Sequence, residues 1–431
     1  MLAGAVDMFC VIVDGYSTGA GLAREFGKSG FSCIHVQSQF CVPKVYSHTY
    51  NPSDYFAHYV YGGSAEALAE KLRKYMPSFV IPGAECGIGL ADQLSEILNV
   101  VGNGVVLSSC RRNKYLMLET VKSKNLTVIP SCCVSTEEEA IAWAVKQAPL
   151  PLIVKPLNSA GGEGVRMCQT VDDISQAYLD IMSTKINMLG FENQSILLQH
   201  YIEGEEYVVN TVSYAGEHKL CELWKYTRYQ RPGGRQIYDT ASVVDYHMEE
   251  HEEVVNYAMK IIAALGIKYG PAHVEIIKNE RGCFLIEMGA RLMGANLPFS
   301  LLSKCVSTSQ ALTTVEAYVA PDVFKQKLLL SYEVLQPLTA IFMVSNCSGQ
   351  IESIEYQDKI HACESFFDMN LAVHVGDKLS KTIDYQTSPG MIYLSHKDPR
   401  IVEADKRYIR ELEKTMFTLT SENLAQDMVE L

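Results

Sequence analysis

The sequence predicts an α/β and α+β protein: an N-terminal domain built on an open parallel sheet, a two-lobed central domain and a small C-terminal α+β domain. Two units of apolar strand, glycine-rich turn and helix open the chain, the pattern of a parallel sheet with crossover helices. Further on, a helix is followed by two apolar strands, AHVEII and CFLIEM, around the turn KNERG, a hairpin signature. At 431 residues the chain also exceeds one ordinary core, since a domain takes roughly 150 residues.

Residues 8–13 read as a buried strand, followed by DGYSTGAG and the helical LAREFGKSG, which Gly30 stops. A second apolar strand at 79–81 leads into PGAECGIG and the helical LADQLSEIL, so residues 1–108 form the first domain. Gly15, Gly19 and Gly21 lack the GxGxxG order of a dinucleotide site, and DGYSTGAG reads instead as a tight turn lining a pocket. The central domain covers 109–330, with lobes at about 109–198 and 199–330. It begins with a helix carrying Lys114, then the strand PLIVKP with Lys155, then NSAGGEGV and another helix. The strand SILLQHYI, further short strands, the helix VVNYAMKIIAAL stopped by Gly266, and the hairpin complete it. In 331–431, LTAIFMVS, 350–356 and GMIYLSH read as strands and RIVEADKRYIRELEKTMF as a helix.

Composition narrows the function. A content of 48% hydrophobic and 20% charged residues is that of a globular protein. A net charge of −13 argues against nucleic acid or a membrane surface as partner, because both are polyanions. Small-molecule substrates are expected. The 13 cysteines are scattered without a CxxC pair, there is no secretory leader, and no run reaches the roughly 18 apolar residues of a membrane span. The expectation is a cytoplasmic enzyme with reduced thiols.

Glu275 and Glu287 are the most informative pair. If their strands pair around 279–282, the two carboxylates lie nearly opposite each other, which costs stability unless a cation sits between them. Oxygen donors select a hard ion, Mg²⁺ or Mn²⁺, which takes its remaining ligands from phosphate oxygens and so implies a nucleotide. Arg291, four residues after Glu287, brings a fixed cation to the same phosphates. The loop SAGGEGV, with Ser159, Gly161, Gly162, Gly164 and Val165, offers unobstructed backbone N–H groups to phosphates. Lys155 and Lys114 add positive charge from two other elements. In LLQHYIEGEEYVV, a bend at Gly204 leaves the backbone of Tyr201 and Ile202 to meet an adenine edge and Glu206 to meet ribose; an ordinary edge strand is the alternative. CELWKYTRYQRPGGRQIYD is expected to form part of the substrate wall, with Lys225 or Arg228 on a carboxylate and Trp224 either in the wall or packed inside. Residues 293–297, including Gly294 and Ala295, are expected to shape a side-chain pocket.

The ordered series Lys114, VKP with Lys155, SAGGEGV, QHYIEGEEY, HVE with Glu275 and IEMGAR with Glu287 and Arg291 resembles the ATP-grasp superfamily, particularly its L-amino-acid (dipeptide) ligases. The likeness spans roughly 1–330 and weakens beyond. It implies ATP held between two α+β lobes, with Lys114 and Lys155 on the phosphates and Gln199, Tyr201, Ile202 and Glu206 around adenosine. It further implies metal ions on Glu275 and Glu287, and Arg291 steadying an acylphosphate. The implied activity joins an acid, expectedly an amino acid, to an amine such as a second amino acid, releasing ADP and phosphate; similar proteins commonly form homodimers. The alternatives are a ligase for another acid or amine, or a nucleotide-binding protein without turnover. Many members of the superfamily carry Asn two residues after the second metal acid, where this chain has Gly289. That difference leaves open whether one or two ions bind.

Overall fold

The computed structural model describes residues 8–146, 150–231, 235–294 and 297–420. The first unit alternates β1 (Met8–Val13), α1 (Leu22–Lys28), β2 (Phe31–Gln37), β3 (Ala57–Val60), α2 (Ala65–Arg73), β4 (Val80–Pro82) and α3 (Ile88–Leu98). Its four strands pair in parallel in the order β3-β2-β1-β4. Parallel strands need covered faces, and here Val11, Val13, Ile34 and Val36 pack on one side while Cys10, Ile12 and Phe26 pack on the other. Because β1 and β4 are neighbours, the turns at their carboxyl ends lie side by side, the position where open α/β sheets hold ligands. The turns meet backbone to backbone: a Cβ on Gly19 would stand 2.1 Å from the Gly83 carbonyl oxygen.

A second unit carries α4 (Lys114–Ser123), β5 (Ser131–Val134), α5 (Glu137–Lys146), β6 (Leu152–Pro156), β7 (Arg166–Cys168), α6 (Val171–Ser183) and β8 (Ile196–His200). Its strands form an antiparallel sheet, β5-β8-β6-β7, backed by Ala140, Ala144, Ile174 and Ala177 of the two later helices. The Asn113 side chain accepts hydrogen bonds from the Tyr115 and Leu116 N–H groups, so α4 starts with Lys114 at its first position.

The remainder is organised by one large sheet. It comprises β9 (Glu205–Tyr214), β10 (Glu217–Arg231), β11 (Arg235–Val244), α7 (Glu249–Ala264), β12 (Gly270–Asn279), β13 (Gly282–Gly289), α8 (Phe299–Cys305), α9 (Gln310–Val319) and α10 (Pro321–Gln326). After these come β14 (Leu338–Phe342), β15 (Gly349–Ile354), α11 (Gln357–His361), β16 (Phe366–Leu371), β17 (Lys378–Leu379), β18 (Gly390–Ser395), α12 (Pro399–Glu413) and β19 (Phe417–Leu419). The eight-stranded order is β13-β12-β9-β10-β11-β14-β18-β16, so strands beyond residue 330 extend the central sheet. Alternation along β14 explains how the C-terminal segment still keeps a core of its own. Leu338, Ala340 and Phe342 join the central core, whereas Ile341 packs with Ile392, Val402 and Ile409. Among the described residues no helix is long and apolar enough to cross a membrane.

One buried pair ties the first unit to the rest. Arg111 is fully buried; it donates to Asp92 of α3 at 2.8 Å and to the Leu265 carbonyl after α7 at 3.2 Å. Removing one partner of a buried pair strands the other charge. Arg111→Ala is therefore expected to lower stability by about 3–5 kcal/mol, read from the urea midpoint; a shift under 1 kcal/mol would show that Asp92 finds solvent instead.

Candidate active site

A cavity of about 490 Å³ opens between the β5–β8 sheet and the large sheet. One end is apolar, walled by Ile129, Ile153, Met167, Ile202, Ile277 and Ile286. Beside it stands Gln199, buried, whose side-chain Nε2 has no hydrogen-bond partner among the described residues. A buried amide donor without a partner is costly, and in a slot lined by aliphatic side chains it fits the edge of a flat heterocycle. The Tyr201 N–H, expected to face a ligand, is 3.4 Å from the Pro151 carbonyl, a long contact.

The other end is cationic. Lys114 donates from Nζ to Glu287 Oε2 at 2.7 Å and to the Ser159 carbonyl at 2.7 Å. Lys155, on β6, is 4% exposed. Burial, and then the like charge of Lys114, push its ammonium down to about 8, with Glu287 and Glu275 offsetting this only in part. Between these lysines and the opening runs the glycine-rich loop. Gly161, Gly162 and Gly164 take φ of 63°, 79° and 69°, a left-handed course that side chains resist. Val165 closes it by donating to the Gly162 carbonyl at 3.1 Å. Glu163 fastens the loop: it takes the Ser159 hydroxyl and accepts from the Met188 N–H at 2.9 Å.

Opposite the loop, the hairpin of β12 and β13 pairs Glu275 directly with Glu287, and a register shift follows at once. Lys114 compensates Glu287. For Glu275, burial pushes the carboxyl up, but the His273 contact at 3.3 Å and the charges of Arg228 and Arg291 outweigh it and hold the group down at about 2. Among the described residues no cluster of three or more His, Cys, Asp or Glu side chains has metal-binding form. What the described residues offer at the hairpin is a pair of carboxylates, Glu275 and Glu287, both oxygen donors. That donor set fits a hard divalent ion whose other ligands are water and phosphate.

Arg228, expected on a substrate carboxylate, is paired within the chain. It grips Glu206 with two hydrogen bonds of 2.6 Å each and lies 4.1 Å over the Tyr238 ring, all within the larger cavity. Lys225 also lines that cavity, paired with Glu205. Of the two placements open for Trp224, the structure shows the packed one and corrects the one in the substrate wall: the side chain is fully buried in the central core with neighbours such as Tyr207 and Val208. The indole lines neither cavity.

A smaller cavity of about 100 Å³ adjoins the first and shares Ala160, Gly161, Tyr226, Tyr238 and Glu275 with it. Arg291 lies here, its Nε donating to Glu85 at 3.0 Å. Gly294 lines it as well, and its carbonyl accepts from the Thr18 hydroxyl at 2.9 Å; Ala295 lies outside the described residues. The turn DGYSTGAG thus lines a pocket, through Ser17 and Thr18. Gly289 also has a reason. A Cβ there would stand 3.0 Å from Glu85 Oε2 and 3.2 Å from Arg291 Cζ, so its missing side chain leaves room for that ion pair. Several lining residues were not singled out from sequence. His273 was signalled by sharing a strand face with Glu275 and Glu85 by its place in PGAECGIG, but Tyr46 and Tyr385 carried no local signal.

Residues 148–298 match the ATP-grasp domain family. Dapdiamide A synthase of Enterobacter agglomerans is 30% identical over 416 residues, 95% of this chain and 96% of that protein. The crystal structure of an L-amino acid ligase from Bacillus licheniformis superposes with a TM-score of 0.75 at 16% identity, covering 96% of this chain and 99% of that one. The biotin carboxylase domain of the Hydrogenobacter thermophilus 2-oxoglutarate carboxylase, solved with magnesium ADP, ADP and bicarbonate, gives 0.62 at 14% identity, covering 95% and 90%.

A buried lysine held near 8 makes a prediction about the ligand-free protein. Its folded value lies below the ordinary 10.5, so the penalty of burying its charge is complete below pH 8 and fades as the pH rises towards 10.5. Lys155→Met is expected to stabilise the ligand-free protein at pH 7 by up to about 3 kcal/mol, with the gain shrinking at alkaline pH, while weakening ATP binding. Denaturant unfolding at several pH values and calorimetric titration with ATP read both. A variant less stable than the wild type at pH 7 would contradict the assignment.

Proposed function

The chain belongs to the ATP-grasp carboxylate–amine ligases, and on that premise we propose that it activates an amino-acid carboxylate with ATP and joins it to the amino group of a second amino acid, releasing ADP and phosphate. The observation that carries this reading is the junction of the two cavities at Glu275, with Lys114, Lys155 and Arg291 around it. ATP fits the larger cavity, its base in the aliphatic slot at Gln199 and its phosphates toward the lysines and the loop 159–165. The acid substrate fits the smaller one, whose volume of about 100 Å³ suits a single amino acid better than a peptide.

The chain's own work is positioning and charge. Lys155 and Lys114 bind phosphate oxygens and hold the terminal phosphoryl group toward the shared wall. Arg291 supplies a fixed guanidinium where negative charge gathers as the carboxylate oxygen attacks phosphorus, giving an acylphosphate and ADP. The loop 159–165 shields that intermediate from water until the amine attacks its carbonyl carbon and phosphate leaves. A divalent ion on Glu275 and Glu287, proposed as Mg²⁺ or Mn²⁺, supplies Lewis-acid neutralisation of the phosphates when bound. Enzymes of this family use ATP with such ions.

With Mg²⁺ and ATP, release of ADP and phosphate is expected to require particular L-amino acids from a pool of all twenty. It is expected to fall by about 10²–10³-fold in Glu287→Ala. ATP binding without amino-acid-stimulated release from any pair would end the ligase reading and favour another substrate class.

A further inference from the structure

Resting on the ligase reading above, we infer that the turn 384–388 is a specificity strap: Tyr385 both walls the substrate cavity and holds the phosphate loop shut, so that a badly fitting substrate uncouples ATP consumption from amide formation.

The strap comes from the C-terminal segment, between β17 and β18, and is built rigidly before it reaches the site. Thr387 accepts from the Ile383 N–H at 2.8 Å and donates its own N–H to Asp384 at 2.9 Å. The Thr382 N–H donates to the Ser345 carbonyl at 2.9 Å, and the Ser388 hydroxyl to the Met343 carbonyl at 2.8 Å. These bonds anchor the turn just past β14 with no help from the loop.

From that anchorage the turn reaches the loop once directly, at Gly161, and once through Met188. The Tyr385 N–H donates to the Gly161 carbonyl at 3.1 Å, and a Cβ on Gly161 would stand 3.3 Å from that of Tyr385. The Gln386 amide reaches Met188 Sδ at 3.0 Å, and the Met188 N–H holds Glu163 of the loop at 2.9 Å. The same two residues, Tyr385 and Met188, line the smaller cavity, where the Tyr385 ring stands edge-on to Phe342 with centroids 6.1 Å apart. One short segment therefore walls the smaller cavity and bonds the backbone of the loop.

The consequence is a coupling of fit to closure. An amino acid whose side chain ends beneath the Tyr385 ring leaves the N–H on Gly161, and the loop stays down. A larger one displaces the ring and with it the donor. The loop then opens, and water in place of the amine attacks the acylphosphate, returning the free acid and inorganic phosphate. Tyr385 is a positioning residue in this scheme: it sets which substrates are coupled, and takes no part in bond making.

The test uses the full chain with Mg²⁺ and ATP and measures amide formed per ADP released, alongside protease cleavage within 159–165 with ATP bound. Tyr385→Ala keeps the N–H but removes the ring that packs over Gly161, whose Cβ position lies 3.6 Å from the ring's Cδ1; with an unchanged thermal midpoint it is expected to lower the amide-to-ADP ratio by about fivefold or more, to stimulate ADP release with larger amino acids, and to speed loop cleavage. Tyr385→Phe, which keeps ring and backbone, is expected to match the wild type, and Thr387→Val, which loosens the turn outside the cavity, to fall between. Equal loss of amide and ADP in Tyr385→Ala, or an unchanged ratio and cleavage rate, would overturn the strap. Wild-type protein that forms no amide with any pair would instead defeat the ligase reading, and loop cleavage would still decide whether Tyr385 holds the lid.

Discussion

Two carboxylates that face each other across β12 and β13 set the terms for everything around them. Glu275 and Glu287 are direct partners in the ladder, a pairing that repels unless positive charge is near. The chain answers with Lys114 on Glu287, His273 beside Glu275, the charges of Arg228 and Arg291 acting on Glu275, and that of Arg291 on Glu287 as well. Lys155 is then left fully enclosed among charges of both signs, and its ammonium is held near 8. Under the proposed function, the charges crowded here are those that would hold a nucleotide and a cation.

Placing that hairpin at the meeting of two cavities requires contributions from the whole chain. The parallel sheet brings its two ligand-side turns together by glycine contacts, and one of them delivers Glu85 to Arg291 while the other delivers Thr18 to Gly294. The second sheet carries Lys155 and the loop. The strands past residue 330 bring Phe342 and the Tyr385 turn onto the same pocket. Gly289 records the compromise: the space beside the second acid is taken by the Glu85–Arg291 pair.

Much of this was legible in the sequence because local rules govern it. Period-two alternation and the turn KNERG sufficed to set Glu275 against Glu287, and the strand–turn–helix pattern sufficed for the parallel sheet. What was not legible depends on tertiary placement. Trp224 reads from sequence as either in the wall or packed inside, and only the tertiary facing of its strand, which buries it in the core, decides. Arg228 was expected on a substrate carboxylate, whereas the register of β10 with β9 brings it to Glu206. Tyr385 stands more than 200 residues from the loop it touches, and no spacing rule reaches that far. The continuation of the central sheet into 331–431 was hidden for the same reason.

The central claim, that the opposed acids form a cation site completed by nucleotide, is tested most directly by titrating Mn²⁺ with and without ATP and following free Mn²⁺ by electron paramagnetic resonance. The account predicts weak binding to the protein alone, tight binding with ATP, and loss of the tight site in both Glu275→Gln and Glu287→Gln. Nucleotide-dependent Mn²⁺ binding that survives in both variants would contradict it.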